Sequence, residues 1–356
     1  MKILNFALVG CGRIANKHTE VINKLDGARI VSVCDVKKKK AKKYGEKYDV
    51  SFYINYDKML KNEEIDVVNI LTPSGLHAKH TIDIVKKYKK HVVVEKPMAL
   101  KLEDADEMIR TCDEEGVRLF VVKQNRYNLP VQKLREALEE GRFGKLVMGT
   151  VRVRWTRHQH YYDMDEWRGT WEMDGGVLTN QASHHIDLLE WMMGQPVEVS
   201  AQTATRLVDI EVEDTGAVLI KFDNGALGII EATTATRPND LEGSLSIMGE
   251  KGSVVIGGYA VNKVETWQFE EEKKEDKQIM EKYKENPPNV YGFGHKRYLE
   301  DVIDAIQNDQ KALVDGLEGR KSLELINAIY ESAETGKSVR LRFKPENSKL
   351  GEMVNE

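Results

Sequence analysis

The feature that most restricts the fold lies near the start of the chain, where Phe6-Ala7-Leu8-Val9 runs straight into Gly10-Cys11-Gly12-Arg13-Ile14-Ala15. An apolar strand that ends in GxGxxA and passes into a helix opens a βαβ unit. The first glycine permits the sharp turn, the second lets backbone approach a pyrophosphate, and Ala15 lets helix pack closely on strand. Arg13 and Ile14 then begin a helix whose free amides and dipole favour phosphate. Asp35 ends the second expected strand, where its carboxylate accepts hydrogen bonds from a ribose diol and repels a 2′-phosphate. Gly10, Gly12, Arg13, Ile14 and Asp35 are therefore read as a site for NAD rather than NADP. The run Lys37 to Lys40 reads as the exposed first turns of a helix.

Short β-rich runs at 29–34, 67–71, 91–94 and 118–121 continue the pattern, alternating with helical segments. This predicts an α/β doubly wound parallel sheet of the Rossmann type. After residue 122 the rhythm changes. A helix at 130–140, a strand at 146–155 and a helix at 181–193 precede alternating runs at 197–206, 215–221, 226–234, 244–248 and 253–256. Asn224-Gly225 and Lys251-Gly252 supply hairpin turns. Helices at 295–307 and 319–335 and a strand at 338–343 close the chain. The expected division is a Rossmann domain over 1–122, an α+β substrate-binding and oligomerisation domain with a large, mostly antiparallel open sheet over 123–343, and a C-terminal tail over 344–356. A length of 356 residues suits two such cores.

Composition excludes several partners. The net charge of -5, from 53 basic and 58 acidic residues, leaves no positive field for nucleic acid or an anionic membrane. No apolar run is long enough to span a bilayer, and no secretory signal precedes the first strand, so a cytoplasmic protein is expected. Cys11, Cys34 and Cys112 match neither a disulfide framework nor a zinc pattern and read as small buried hydrophobes. The charge-dense stretch 270–284 reads as a solvated excursion. An open antiparallel sheet offers a face for packing between copies, so a homo-oligomer, dimer or tetramer, is expected.

Ligands of open parallel sheets bind at the carboxyl ends of the strands. Thr72-Pro73-Ser74 and His77 follow the strand at 67–71 and are expected to line the ribose and nicotinamide half of the cofactor. His77 and His80 lack convergent carboxylates or thiolates, so no metal is expected, and His80 reads as a helix-surface residue. Glu95-Lys96-Pro97 follows the strand at 91–94. A lysine there stabilises a developing alkoxide and, with a depressed pKa, takes its proton. Further on, Trp167-Arg168-Gly169-Thr170-Trp171 and Gly175-Gly176 precede Asn180-Gln181-Ala182-Ser183-His184-His185-Ile186-Asp187. If a helix begins near Asn180, then Asn180, His184 and Asp187 share one face of it. His184 is assigned to the site and His185 to packing.

These motifs together resemble the glucose-fructose oxidoreductase, inositol dehydrogenase and MocA (Gfo/Idh/MocA) superfamily over nearly the whole chain. The resemblance implies that Lys96, Asn180 and His184 form the catalytic set, with Asn180 standing where the family often has aspartate. An amide leaves Lys96 easier to deprotonate than a carboxylate does; Lys96 is the preferred base and His184 the rival. More narrowly, Lys123-Gln124-Asn125-Arg126, the stretch 155–171, Asn180 to His184, Ile210 to Thr215 and Glu242-Gly243-Ser244 resemble the enzymes that oxidise, with NAD, the C3 hydroxyl of a UDP-linked N-acetylated amino-sugar uronic acid. Their 3-keto product passes to an aminotransferase. That resemblance places Glu95, Gln124, Trp167 and Arg168 with the cofactor, beside Lys96. The UDP-sugar partner would be met by Lys96, Arg126, Tyr127, Arg157, Tyr162, Arg168, Asn180, His184, Tyr291 and His295. Three arginines suit a diphosphate and a carboxylate, and Trp155, Tyr161, Tyr162 and Trp167 offer flat faces to sugar or uracil. The alternatives are a dehydrogenase of a free polyol or simple sugar, which needs no such arginine cluster, and a non-catalytic NAD-binding regulator, against which Lys96 and His184 argue. A smaller possibility is internal redox cycling of tightly held NAD, as in NAD-dependent glycosidases.

Overall fold

A computed structural model describes residues 2–258, 260–284, 294–341 and 348–350. The chain divides into two compact units, Met1–Lys123 with His295–Arg320, and Gln124–Gly294 with Lys321–Glu356.

In the first unit β1 (Leu4–Val9), α1 (Arg13–Ile22), β2 (Ala28–Cys34), α2 (Lys38–Tyr48), β3 (Ser51–Tyr53), α3 (Tyr56–Asn62), β4 (Val67–Ile70), α4 (His77–Tyr88), β5 (His91–Val94), α5 (Leu102–Glu114) and β6 (Leu119–Val121) follow one another. The six strands form one parallel sheet in the order β3-β2-β1-β4-β5-β6. Every residue of β1 and β4 is buried, as expected of strands covered by helices on both faces. The order reverses direction between β1 and β4, the switch point where a crevice opens at the carboxyl edge. The strand β3 and the helix α3 carry no apolar period and are absent from the sequence reading; Asn55 starts α3 by accepting from the Lys58 amide at 3.0 Å.

The second unit contains α6 (Leu129–Glu139), β7 (Leu146–Arg154), α7 (Gln159–Tyr162), α8 (Ser183–Met193), β8 (Pro196–Ala204), β9 (Thr215–Phe222), β10 (Leu227–Thr233), β11 (Glu242–Gly249), β12 (Gly252–Gly257), β13 (Lys263–Phe269) and α9 (Lys274–Lys282). With β14 (Val339–Arg340) these strands make an eight-stranded sheet, β13-β12-β11-β7-β10-β9-β8-β14. Only β7 and β10 pair in parallel. The helix α8 lies against one face so closely that a Cβ on Gly149 would meet Leu189 and Met193 at 2.7 Å. On β9, Val218, Ile220 and Phe222 are buried while Ala217, Leu219 and Lys221 are exposed, the alternation of a sheet with one covered face. Cross-strand registers put Leu219 opposite Ile229, and Leu227 opposite Met148, which in turn pairs Met248. These five apolar residues form a band on the uncovered face beside an ionic ladder of Arg152, Arg154, Glu231 and Glu242.

The last helices are α10 (Gly294–Gln307) and α11 (Gly316–Thr335). Residues His295–Arg320 return to the first unit: Gln307 Nε2 donates to the Lys2 carbonyl at 2.6 Å, Phe120 bridges Asp315, and Gly319 leaves the space that Val121 fills. A sequence boundary at 122 contains no signal for that return. The expected tail lies largely outside the described residues; of its members, Leu350 is buried and Lys349 pairs with Glu334 at 3.0 Å. No helix of the described residues is long and apolar enough to cross a membrane.

Most of 270–284 is exposed, in keeping with a solvated stretch, but one buried side chain anchors its helix. Asp276 of α9 accepts from both ends of the Arg142 guanidinium at 2.8 and 2.7 Å, from the Trp267 indole at 2.7 Å and from the Lys273 amide at 2.8 Å. The Arg142 hydrogen bonds, against the opposing effect of burial, hold its carboxyl down at about 2.

Candidate active site

In the first unit the carboxyl edge of the sheet carries the turn from β1 to α1. Gly10 adopts φ +105°, and a Cβ there would lie 2.5 Å from the Leu71 carbonyl oxygen. A Cβ on Gly12 would meet nothing within 4 Å, which is the open approach that a pyrophosphate requires. Gly12 caps α1 with no side-chain hydrogen bond, so the amides of Arg13 and Ile14 begin a helix N-terminus with donors to offer. The Asp35 carboxylate is oriented by backbone: it accepts from the Cys11 amide at 2.9 Å and the Lys37 amide at 2.8 Å. These residues fit the phosphates and ribose of NAD.

Beside this turn, Thr72 Oγ1 lies 3.1 Å from His80 Nδ1, so His80 braces a loop rather than decorating a helix surface. Burial pushes the His80 imidazole down to about 4. His77 was expected to face the cofactor. It is buried, with Nδ1 2.7 Å from the Pro97 carbonyl and Nε2 2.8 Å from the Thr72 carbonyl, and it ties the loop after β4 to the turn after β5. Desolvation lowers its pKa against the pull of the two carbonyls. Pro73 is partly exposed and Ser74 is buried in the same loop.

Glu95 is buried under the half-buried Lys96, whose amide donates to Glu95 Oε2 at 3.2 Å. Burial opposes the charge on Glu95, yet the hydrogen bond and charge of His18, 2.8 Å away, hold the carboxyl down at about 2. A carboxylate only accepts, so His18 Nε2 is its donor. Asn69 Nδ2 meets the other ring nitrogen at 2.9 Å, and the buried His295 ring stands edge-on to His18 at 5.9 Å. Among the described residues, His18, Glu95 and His295 are the group whose ligand-type atoms gather within 4.8 Å. There Nε2 of His18 is spent as a donor to Glu95, which suits a hydrogen-bonded buttress under Lys96 better than a metal centre. His295, offered by the sequence reading to the substrate, is part of this buttress.

In the second unit α8 begins at Ser183, so Asn180 lies in the turn before it and not on its face. Asp187 faces inward: its two oxygens accept from Nε and Nη2 of Arg126, each at 2.8 Å, with both side chains at most 2% exposed. This corrects the reading of Arg126 as a ligand contact, because its fork is committed to a buried carboxylate. Gln124 Nε2 donates to His184 Nε2 at 3.0 Å, while His185 is buried edge-on to Trp155. Tyr127 is buried. Tyr162 is buried too, its hydroxyl 3.1 Å from Thr234 Oγ1, which removes it from the outward surface. Tyr291 lies outside the described residues.

The other two arginines converge. The Arg157 and Arg168 guanidiniums stand 5.4 and 4.6 Å from the Tyr161 ring centroid, Arg168 also donates to the Tyr161 hydroxyl at 2.7 Å, and Trp155 and Trp167 flank them. Tyr161 was read only as one of several aromatics, and the structure makes it the centre of this cluster, in which Arg157 also meets Asp240 at 3.2 Å and Arg168 meets Asp165 at 3.8 Å.

A buried acidic network underlies Asn180 and was not foreseen. Glu213 accepts from the Leu178 amide at 2.9 Å and the Tyr330 hydroxyl at 2.8 Å, and Tyr330 also takes the Thr179 hydroxyl at 2.9 Å. A Cβ on Gly176 would lie 2.1 Å from the Glu213 carboxyl, so the Gly175-Gly176 turn is what lets the chain cross it. Burial, with Asp174 adding to it, pushes Glu213 up to about 7. Asp174 in turn accepts from the Gly169 amide at 2.9 Å and the Asn180 side-chain amide at 2.5 Å. An aspartate before Gly-Gly reads as a turn former; the one signal for Glu213 was the resemblance carried by 210–215.

Known proteins resemble this chain along nearly its whole length. The WlbA dehydrogenase from Bordetella pertussis, crystallised with NADH and UDP-GlcNAcA, is 42% identical over 96% of this chain and 99% of its own, with a TM-score of 0.90. The WlbA dehydrogenase from Chromobacterium violaceum, crystallised with the same two molecules, is 44% identical over 96% of this chain and 97% of its own, again at 0.90. A more distant relative, the myo-inositol 2-dehydrogenase of Thermotoga maritima, is 27% identical over 353 residues, 95% of this chain and 98% of its own. The description "Oxidoreductase family, NAD-binding Rossmann fold" matches residues 4–123 and "Oxidoreductase family, C-terminal alpha/beta domain" matches 135–341. With both halves so matched, the chain belongs to the Gfo/Idh/MocA family of NAD-binding oxidoreductases.

Proposed function

We propose that this protein oxidises the C3 hydroxyl of a UDP-linked, N-acetylated amino-sugar uronic acid, UDP-GlcNAcA, to the 3-keto sugar with NAD as oxidant. The observation that supports this most is the likeness over 96% of the chain to two dehydrogenases that hold NADH and UDP-GlcNAcA. The pairing of Arg157 and Arg168 on Tyr161 adds local chemistry, since a ligand with a diphosphate and a carboxylate calls for planar cationic donors. A free polyol has no use for them.

In this reading Gly10, Gly12, Arg13, Ile14, Asp35, Thr72, Pro73 and Ser74 hold the cofactor, and Gln124, Trp167 and Arg168 are assigned to it as well. When bound, NAD supplies the acceptor for the hydride that leaves the carbon bearing the hydroxyl. Lys96 takes the proton of that hydroxyl while the carbon–oxygen double bond forms. Glu95, kept ionised by His18, fixes the backbone from which Lys96 extends. Asn180, His184 and Tyr127 serve the sugar. The same reading proposes a cytoplasmic homo-oligomer that makes activated sugars for a surface polysaccharide or glycan, supported by the UDP-GlcNAcA that the two similar dehydrogenases hold.

Anaerobic mixing of the protein with NAD and a panel of UDP-sugars, myo-inositol and glucose tests the reading, with 2-oxoglutarate as a trial reoxidant. Nicotinamide reduction is expected with UDP-GlcNAcA; reduction with inositol or glucose and none with UDP-GlcNAcA would overturn it. Lys96→Ala should lose turnover by about 10²- to 10⁴-fold with NAD affinity retained, and near wild-type turnover would discard the assignment.

A further inference from the structure

We infer that Leu350 is a positioning residue, which holds the turn before α8 so that Asn180 meets the sugar in one place. The inference rests on the reading that Asn180 touches the substrate. Residues 163–182, between α7 and α8, form neither helix nor strand. Gly169, Gly175 and Gly176 lie among them, with φ of +69° at Gly169 and +82° at Gly175. A segment of that kind has no ladder of its own to keep it in place, so its stability comes from what packs on it. One hold is Tyr330 of α11, whose hydroxyl accepts from the Gly176 amide at 3.3 Å and the Thr179 hydroxyl at 2.9 Å. A second comes from residues 348–350.

Leu350 stands among Glu346, Asn347, Ser348, Lys349 and Glu352, an apolar residue in a polar stretch, yet it is 1% exposed. Its burial has a definite receiver. A Cβ on Gly175 would lie 3.0 Å from Leu350 Cδ2 and 2.7 Å from Thr179 Cβ, so the leucine packs on the turn beside Thr179. Lys349 reaches the same segment: its Nζ pairs with Glu334 of α11 at 3.0 Å and stands 5.9 Å from the Trp171 ring centroid. Trp171 in turn stands edge-on to Tyr330 at 5.4 Å. From Gly175 the backbone passes directly to Asn180. That loop is closed by the Asn180 amide, which donates to the Gly176 carbonyl at 2.9 Å, and by Asn180 Nδ2, which donates to Asp174 at 2.5 Å. Withdrawing the leucine uncovers the Gly175 pivot of the loop. Asn180 then samples several positions, and a hydrogen bond to the sugar that depends on one of them weakens.

Steady-state kinetics with UDP-GlcNAcA provides the test. Leu350→Asp sets a charge against the buried face of the turn and should raise KM for the sugar about 10- to 100-fold, with KM for NAD unchanged. Leu350→Met keeps the volume and should stay within about twofold of the wild type. A fall in kcat alone, at unchanged sugar KM, is what a smaller folded fraction produces, and it overturns the inference. A double-mutant cycle adds a second requirement. In an Asn180→Ala background, which itself raises the sugar KM, Leu350→Asp should add less than about twofold; full additivity overturns the inference, and so does a wild-type sugar KM in Asn180→Ala. Leu350→Ala replaces the charged variant if that one does not fold, and is read by the same outcomes. If the wild-type protein is inert toward UDP-GlcNAcA, only the substrate reading fails, and hydrogen exchange decides the hold on the turn. The amides of Gly175, Asn180, Gln181 and Ala182 each donate to a carbonyl within 170–177. They should exchange about tenfold faster in Leu350→Asp; unchanged exchange there sinks the proposal.

Discussion

Arg126 and Asp187 show how burial converts a pair of charges into a structural commitment. Asp187→Ala would strand the guanidinium in a site that is 2% exposed, so the variant should lose about 3–5 kcal/mol. A thermal unfolding midpoint within error of the wild type would contradict that. Glu213 makes the opposite case, a carboxyl whose charge the fold resists. Its pKa rises from 4.5 to about 7 on folding, so the folded state binds the proton more tightly. Its contribution is greatest below pH 4.5, falls as pH rises toward about 7 and is flat above, a loss on the order of 3 kcal/mol. Glu213→Gln keeps the acceptor for Leu178 and Tyr330, so it should remove this slope. Denaturant unfolding of both proteins at pH 5 and pH 8 reads the difference, and parallel slopes would refute it. At this scale the sequence was legible where chemistry is local: Gly10, Gly12, Asp35 and Lys96 carry their meaning in adjacent residues. It was illegible where a partner is distant, because nothing near Arg126 announces a carboxylate 61 residues away.

Among elements, α9 depends on one side chain. Asp276 is the third residue of the helix, and it reaches back to the amide that precedes the first turn while holding Arg142 and Trp267. Asp276→Asn replaces charge-assisted contacts with neutral ones, and hydrogen exchange of the amides at 274–282 should accelerate roughly tenfold. Exchange unchanged there would show that packing alone retains the helix. The long, periodic elements were readable from the sequence to within a few residues, as with β9, expected at 215–221 and found at Thr215–Phe222. The short strand β3 has three residues, too few for a period, and β13 is paired through a register shift between Val255 and Ile256 that breaks its alternation. Elements of that kind exist because a neighbour offers hydrogen bonds, and a neighbour is not visible in the segment itself.

For the molecule as a whole, the uncovered sheet face in the second unit is the surface to test for self-association. Leu219 and Leu227 are 61% and 51% exposed, on one face with Ile229, Met148 and Met248. A band of this kind favours burial against a second copy. Leu219→Glu with Leu227→Glu should reduce the sedimenting mass by at least one halving while leaving NAD binding intact; an unchanged mass would place the contact elsewhere. The first unit carries a different implication. Because 295–320 completes it, a ribosome has made the six parallel strands long before the segment that seals β6 and the start of β1 emerges. The second unit has almost all of its sheet in hand by residue 269 but also takes residues 321–356, with the edge strand β14. Neither unit is contiguous in the chain, so each waits on late-made residues to be finished, and a cut anywhere before residue 295 would leave both of them incomplete.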